Sequence, residues 1–108
     1  MIYTLVLSAG LLFGPHCEDG CKVLTGADTP PAGKYSAAQM FGYKGIGFHA
    51  DGVGKIFAIH PTWTTVRERI LVEGEAQHRR NVTAGCINIS DADFRKLPKT
   101  RFELIIKE

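Results

Sequence analysis

The stretch Lys55-Ile56-Phe57-Ala58-Ile59-His60 decides the fold class of this 108-residue chain. Its four successive apolar residues include branched and aromatic side chains, a pattern typical of a central strand buried on both faces. His60 ends this strand and is followed by the rigid Pro61. Because a strand end holds a side chain more firmly than a loop does, His60 is also a candidate functional residue.

Further strands are predicted on both sides of this central strand. Asp51-Gly52 forms a turn that joins it to the preceding strand. Two segments rich in glycine, proline or polar residues are predicted as a turn and a loop, at Pro15–Gly20 and Gly26–Gly33. The predicted strands are Ile2–Ser8, Leu11–Phe13, Cys21–Thr25, Lys34–Met40, Gly45–His49 and Thr100–Lys107.

Two short helices are predicted in the second half of the chain. Thr65-Val66-Arg67-Glu68 matches a capping box, although Arg69–Val72 has the composition of either a helix or a strand. A polar loop is expected at Glu73–Thr83, and Ser90 caps a second helix that ends before Pro98. We therefore predict one mainly β domain over residues 1–108, a compact sandwich or barrel with two short helices.

Composition excludes several classes of protein. Thirteen Lys and Arg residues against 11 Asp and Glu give a net charge of +2, which argues against a general nucleic-acid binder. Apolar runs all fall short of the roughly 18–20 residues that a membrane-spanning helix needs. Residues 5–13 are apolar enough for a signal-peptide core. However, the first basic residue is Lys22, so we expect mature strands there and no clear signal peptide in this chain.

Two of the three cysteines are close in sequence. Cys17 and Cys21 flank Glu18-Asp19-Gly20, which predicts a three-residue hairpin loop with Gly20 in the left-handed region. This loop sets the two cysteines opposite each other, as a disulfide in an oxidising compartment or as thiols in the cytosol. His16 adds a third potential metal ligand. No second ligand pair follows at metal spacing, so we expect no metal site.

The third cysteine lies in the segment Asn81–Asn88. Gly85 before Cys86 permits a sharp turn, whose backbone amides can face a developing oxyanion. A catalytic thiol needs activation, and His60 is the best candidate for the base. The alternative is that Cys86 simply packs in the core and that His60 is structural, as is common for both residue types.

The arrangement of these residues resembles a known signature. His60, a spacer and Thr83-Ala84-Gly85-Cys86-Ile87-Asn88 resemble the motif of the L,D-transpeptidase (YkuD-type) catalytic domain family. Gly26 with Thr29–Tyr35 resembles that family's Gly…Thr-Pro-x-Gly-x-aromatic loop. Residues 90–107 resemble its closing helix, Leu-Pro turn and final strand. The resemblance runs from residue 26 to the end of the chain, and it departs from the motif where Ala84 replaces the second histidine.

The resemblance implies a role for each matching residue. Cys86 is the nucleophile and His60 the general base, which then protonates the leaving amine. The carbonyl of Pro61 holds the imidazole in its working tautomer, and the amides of Gly85 and Cys86 form the oxyanion hole. The residues expected to bind substrate are Arg80, which would hold a carboxylate, together with Thr83, Ala84, Asn88 and His49. Asn88 alternatively supports the site by hydrogen bonding or caps the turn. Arg80 is alternatively a solvated surface charge, and His49 a packed or surface residue. Trp63 and Tyr43 are either core aromatics or further substrate contacts.

The resemblance also implies a substrate, the peptidoglycan stem peptide. Attack by the thiolate releases D-alanine and leaves a thioester, which an amine resolves by cross-linking or D-amino acid exchange, and water by L,D-carboxypeptidase action. The implied reaction needs no cofactor, and its expected site is the periplasm or cell wall. The protein would be either a housekeeping enzyme or an effector aimed at another cell's wall. Ala84 keeps open a degenerate peptidoglycan-binding domain, and a structural domain with a packed Cys86 is the other alternative.

Overall fold

Eight strands close into a barrel in the computed structural model, which describes residues 1–40, 42 and 44–108. The order around the barrel is β1-β2-β3-β7-β6-β5-β4-β8. This confirms a mainly β fold with two short helices, and the barrel replaces the sandwich alternative. The elements are β1 Ile2–Val6, β2 Leu11–Gly14, β3 Cys17–Leu24, β4 Gly33–Gln39, β5 Ile46–Ala50, β6 Ile56–Pro61, α1 Thr65–Glu73, β7 Ile87–Ile89, α2 Asp91–Lys96 and β8 Phe102–Lys107.

The interior of the barrel is filled by side chains that alternate along the strands, as expected for a small barrel. In β8, Phe102, Leu104 and Ile106 point inward and are at most 3% exposed, which confirms the predicted alternation. In the central strand β6, Phe57 and Ile59 belong to the same core. His60 alternates with Ile59 and is therefore on the outer face, where other parts of the chain bury it.

One crossover connection determines where the candidate site forms. The strands β6 and β7 are parallel neighbours, with Ile59 opposite Ile87 and His60 opposite Asn88. Parallel neighbours cannot be joined by a tight turn, so the chain between them makes a crossover that contains α1. A 3₁₀ turn at Ala76–Arg79 follows, within the segment predicted as a polar loop.

The helix caps explain where both helices begin. The hydroxyl of Thr64 accepts a hydrogen bond from the backbone amide of Arg67, so α1 is capped one residue earlier than predicted. Helix α2 begins as expected, because the Ser90 hydroxyl accepts a bond from the Asp93 amide. No helix in the described part of the chain is long and apolar enough to cross a membrane.

The N-terminal half differs from the sequence prediction at one turn. The chain reverses at Pro15-His16, and β3 already begins at Cys17. The register of β2 with β3 shifts between Leu12 and Gly14, so residues 18–20 bulge out of β3 instead of joining two strands. The bulge brings Cys17 and Cys21 together in a disulfide. Gly20 has the expected positive φ, 91°.

Candidate active site

His60 lies near the end of β6 with only 4% of its surface exposed. Its Nδ1 atom is 2.6 Å from the carbonyl oxygen of Pro61. A carbonyl oxygen only accepts hydrogen bonds, so Nδ1 carries the proton and donates it. In the neutral ring, Nε2 then keeps the lone pair that a general base needs.

The indole of Trp63 covers one face of this imidazole. The two rings stack with their centroids 3.9 Å apart and their planes 12° from parallel. Trp63 has a φ of 63°, in the left-handed region that bulky residues rarely adopt. Its exposed fraction is 54%, so it is not a core aromatic. Tyr43, the other aromatic considered with it, lies outside the described residues.

Asn88 is fully buried and lies opposite His60 in the pairing of β6 with β7. Its amide oxygen accepts a hydrogen bond from Nη1 of Arg67 at 3.0 Å, and its amide nitrogen is 3.4 Å from Nε2 of His60. Since its oxygen faces the guanidinium, the amide NH₂ donates to Nε2. Asn88 therefore supports the imidazole from a fully buried position, and its contact with substrate stays a prediction.

Burial is the main reason why the pKa of His60 lies below its ordinary value. The positive charge of Arg67 lowers this pKa further, whereas the hydrogen bond to the Pro61 carbonyl opposes both effects. The imidazole is consequently neutral at neutral pH, the state in which it can accept a proton. Arg67 was not among the predicted site residues, because only the folding of α1 brings it to Asn88.

Replacing Arg67 by glutamine is expected to raise the pKa of His60. The glutamine amide can still donate to Asn88, while the positive charge that opposes protonation of the ring is removed. Titration of the imidazole Cε1–H resonance by NMR would measure the change. The matched control is Arg69→Gln on the same helix, since Arg69 is exposed and approaches Glu73. An unchanged pKa in Arg67→Gln would contradict the electrostatic role of Arg67.

Cys86 stands immediately before β7 and is half-buried. Side chains two positions apart share one face of a strand, so Cys86 follows the face of Asn88 and not that of the core residue Ile87. His60 occupies the same face on the neighbouring strand. Among the described residues, however, Nε2 of His60 is hydrogen-bonded by the Asn88 amide and not by the thiol.

The turn before Cys86 is braced by Thr83. Its hydroxyl donates to the carbonyl of Cys86 at 2.6 Å and accepts from the amide of Gly85 at 3.0 Å. Gly85 has a φ of 128°, and a Cβ there would lie 2.5 Å from the ring of Phe57, so only glycine fits. The Gly85 amide is therefore engaged within the turn, and Thr83 is buried. The oxyanion role of that amide and the contact of Thr83 with substrate stay predictions.

A second loop supports this turn from the other side. The hydroxyl of Thr29 donates to the carbonyl of Gly85 and accepts from the amide of Gly26, both at 2.9 Å. Gly26 also pairs with Thr83 in an isolated bridge. The two segments that resemble the transpeptidase motifs are far apart in sequence but are in direct contact in the fold.

The Gly26→Ala substitution is expected to destabilise the protein by about 2 kcal/mol or more, as overpacking against rigid backbone does. The new Cβ would lie 2.1 Å from the carbonyl oxygen of Thr83 and 2.7 Å from the amide nitrogen of Gly85. Denaturant unfolding measures the loss. The matched control is Gly33→Ala, where the nearest atom is 3.6 Å away and a change within about 0.5 kcal/mol is expected. Equal stability of both variants would contradict the close approach of the two loops.

Two adjacent arginines have opposite environments. Arg80 is exposed and lines a cavity of about 250 Å³ together with Gly26 and Thr29. Arg79 is 5% exposed and donates to the carbonyls of Gly74 and Ala9, which ties the 3₁₀ turn to the connection between β1 and β2. Of the pair, Arg80 is therefore the exposed one, and its contact with a ligand carboxylate stays a prediction.

The remaining predicted substrate residues lie at the surface. Ala84 is exposed, and its carbonyl accepts a hydrogen bond from Nζ of Lys55 at 2.5 Å. His49 is exposed on β5 and contacts the rings of Tyr35 and Phe57. Because Phe57 also packs against Gly85, His49 is linked to the Cys86 turn through one aromatic side chain.

No protein family model matches this chain, and no curated protein matches it.

Proposed function

We propose that this chain is a cysteine-dependent L,D-transpeptidase that acts on peptidoglycan stem peptides. The observation that carries the proposal is the parallel pairing of β6 with β7. It sets His60 opposite Asn88, two residues after Cys86, while the Pro61 carbonyl holds the proton of the imidazole on Nδ1. The contact between Thr29 and Gly85 adds support, because it joins both segments that resemble the family.

The first half of the reaction forms a thioester. His60 takes the thiol proton, and the sulfur of Cys86 attacks the carbonyl carbon at the L-centre of the diamino acid. The carbon–nitrogen bond to the terminal D-alanine breaks, and His60 returns the proton to the leaving amine. Since the Gly85 amide is engaged, the proposal keeps the backbone amide of Cys86 as the donor to the oxyanion.

The second half transfers the acyl group. An amine attacks the thioester carbon, its proton goes to His60, and the carbon–sulfur bond breaks to restore the thiolate. An amine from a neighbouring stem peptide gives a cross-link, a free D-amino acid gives exchange, and water gives carboxypeptidase action. These steps need no metal or organic cofactor.

Two further features support a substrate of this class. The exposed Arg80 beside the Gly26–Thr29 loop provides a cation for a peptide carboxylate. The disulfide between Cys17 and Cys21 is compatible with the oxidising conditions of the periplasm or cell wall, where the proposed substrate occurs.

Mass spectrometry of tetrapeptide muropeptides incubated with the protein tests the proposal. We expect new masses for cross-linked, exchanged or trimmed products, and each product identifies its acceptor. The engagement of Nε2 by Asn88 favours a second candidate, a peptidoglycan-binding domain that does not turn over its ligand. Binding of muropeptides without any mass change would support that candidate. If the protein neither binds muropeptides nor changes their mass, both candidate functions are excluded.

A further inference from the structure

A second cluster of reactive side chains lies on β3, outside the proposed catalytic site. His16, Cys17 and Cys21 each bring one potential ligand atom, and these atoms all lie within 4.8 Å of one another. Nε2 of His16 is 3.3 Å from the sulfur of Cys17. Both cysteines are more than nine-tenths buried. Around tetrahedral zinc, sulfur and nitrogen ligand atoms lie between about 3.5 and 3.8 Å apart. Nε2 of His16 is already close to this distance from Cys17, whereas the two bonded sulfurs must separate after reduction.

His16 is oriented as a metal-binding histidine usually is. Its Nδ1 atom is 3.1 Å from the hydroxyl of Tyr3, which turns Nε2 towards Cys17. Tyr3 is itself 1% exposed and packs edge-on against Phe102, so its hydroxyl is held in place. A partner on the second ring nitrogen is the usual means by which proteins fix the tautomer and direction of a metal ligand.

Asp93 brings a carboxylate beside His16 at the edge of this cluster. Its Oδ1 atom is 4.0 Å from Nε2 of His16, although the two residues are far apart in sequence. The position of Asp93 is set by helix α2, where its backbone amide donates to the Ser90 hydroxyl. A cavity of about 360 Å³, whose wall includes Cys21 and Asp93, provides a route from solvent. Asp93 is thus a candidate fourth ligand that the local spacing of His16, Cys17 and Cys21 does not reveal.

We propose that reduction of the Cys17–Cys21 disulfide creates a zinc site formed by both thiolates, the imidazole of His16 and the carboxylate of Asp93. A dithiol reductant breaks the S–S bond and becomes a disulfide itself, and its two hydrogens appear on Cys17 and Cys21. Zinc then binds both sulfurs, and the two thiol protons are released to solvent. The oxidised protein, in which both sulfurs are bonded to each other, lacks this site.

Cobalt(II) titration tests the proposal, because thiolate-to-cobalt charge transfer and tetrahedral d–d bands report the ligands directly. The titration uses the full chain with Cys86→Ser, which removes the third thiol. The disulfide is reduced with a phosphine, which becomes a phosphine oxide while water supplies the oxygen atom and the hydrogens of the two thiols. We expect one cobalt per reduced chain with both spectral signatures, displaced by zinc, and no such spectrum for the oxidised chain. Equal spectra in both redox states, or no charge transfer after reduction, would overturn the proposal.

Variants of the nitrogen ligand His16 and of the oxygen ligand Asp93 test the proposed ligand set without removing a cysteine. His16→Ala and Asp93→Asn are each expected to weaken cobalt binding about tenfold or more. The matched control is Asp91→Asn on the same turn of α2, whose carboxylate pairs with Lys44 and Arg95 and should leave cobalt affinity unchanged. Circular dichroism of each oxidised variant checks folding. Affinity unchanged by Asp93→Asn, or lowered equally by Asp91→Asn, would contradict the proposed ligand set.

Discussion

Replacing Cys86 by serine is expected to lower the rate of muropeptide turnover by about 10³-fold or more, since the reaction loses its nucleophile. Serine is nearly isosteric, so the Thr83–Cys86 turn should persist. In the oxidised protein, Cys86 is the free thiol of the described residues. Intact-protein mass spectrometry should therefore detect a single acyl adduct in the wild type and none in Cys86→Ser.

The outcome that would contradict this prediction is turnover in Cys86→Ser at a rate near that of the wild type. Such a result would mean that the reaction does not pass through a thioester. Cys86→Ser must retain the unfolding free energy of the wild type for the comparison to count. The thiol is only half-buried and serine is close to it in size, so a small difference is expected.

Sequence predicts those parts of the candidate site that depend on contacts between residues adjacent in the chain or on the backbone of a single turn. The carbonyl of Pro61 contacts the ring of the residue directly before it, and Gly85 adopts the positive φ that its turn requires. The contact between Arg67 and Asn88, in contrast, could not be predicted from local sequence. Their hydrogen bond depends on where α1 packs in the fold, and no local pattern predicts which side chain a helix presents to a distant strand.

The same distinction applies to the fold. Alternation in β8 and the cap of α2 depend on short windows of sequence, and both are confirmed. Strand β7 has only three residues, fewer than a periodic pattern needs, and it is a strand because β3 and β6 pair with it on either side. The start of β3 was also missed, because a bulge of polar residues between two cysteines resembles a turn.

Trp63 shows how the fold can override local preference. Its positive φ is unfavourable for a bulky residue, by about 1–3 kcal/mol, and no sequence rule predicts it. The conformation persists beside the stacked His60 ring and the hydrogen bond from Thr62 to Glu68. Strain at such a position often marks a functional site, and here the strained residue stacks on the buried His60 imidazole.

His60→Gln is expected to lower the rate of muropeptide turnover by about 10²- to 10⁴-fold, the usual contribution of a general base. Glutamine can still occupy the buried position next to Pro61, but it cannot accept the thiol proton at any pH. The matched control is His78→Gln in the exposed 3₁₀ turn, which should behave like the wild type. Turnover in His60→Gln equal to that of the control would exclude His60 as the base.

The pH dependence of the free energy of unfolding reports the protonation of His60 separately from the packing of its ring. In the folded protein its pKa lies below the ordinary value of 6.5, so the unfolded chain takes up the proton first as pH falls. The free energy of unfolding therefore decreases from pH 6.5 down to the lowered pKa, by up to about 1.4 kcal/mol per pH unit. Denaturant unfolding across this window should show that His60→Gln lacks this contribution while His78→Gln keeps it. If His60→Gln kept the full slope, another group would be responsible, and the neutral, buried base that the mechanism requires would lose its support.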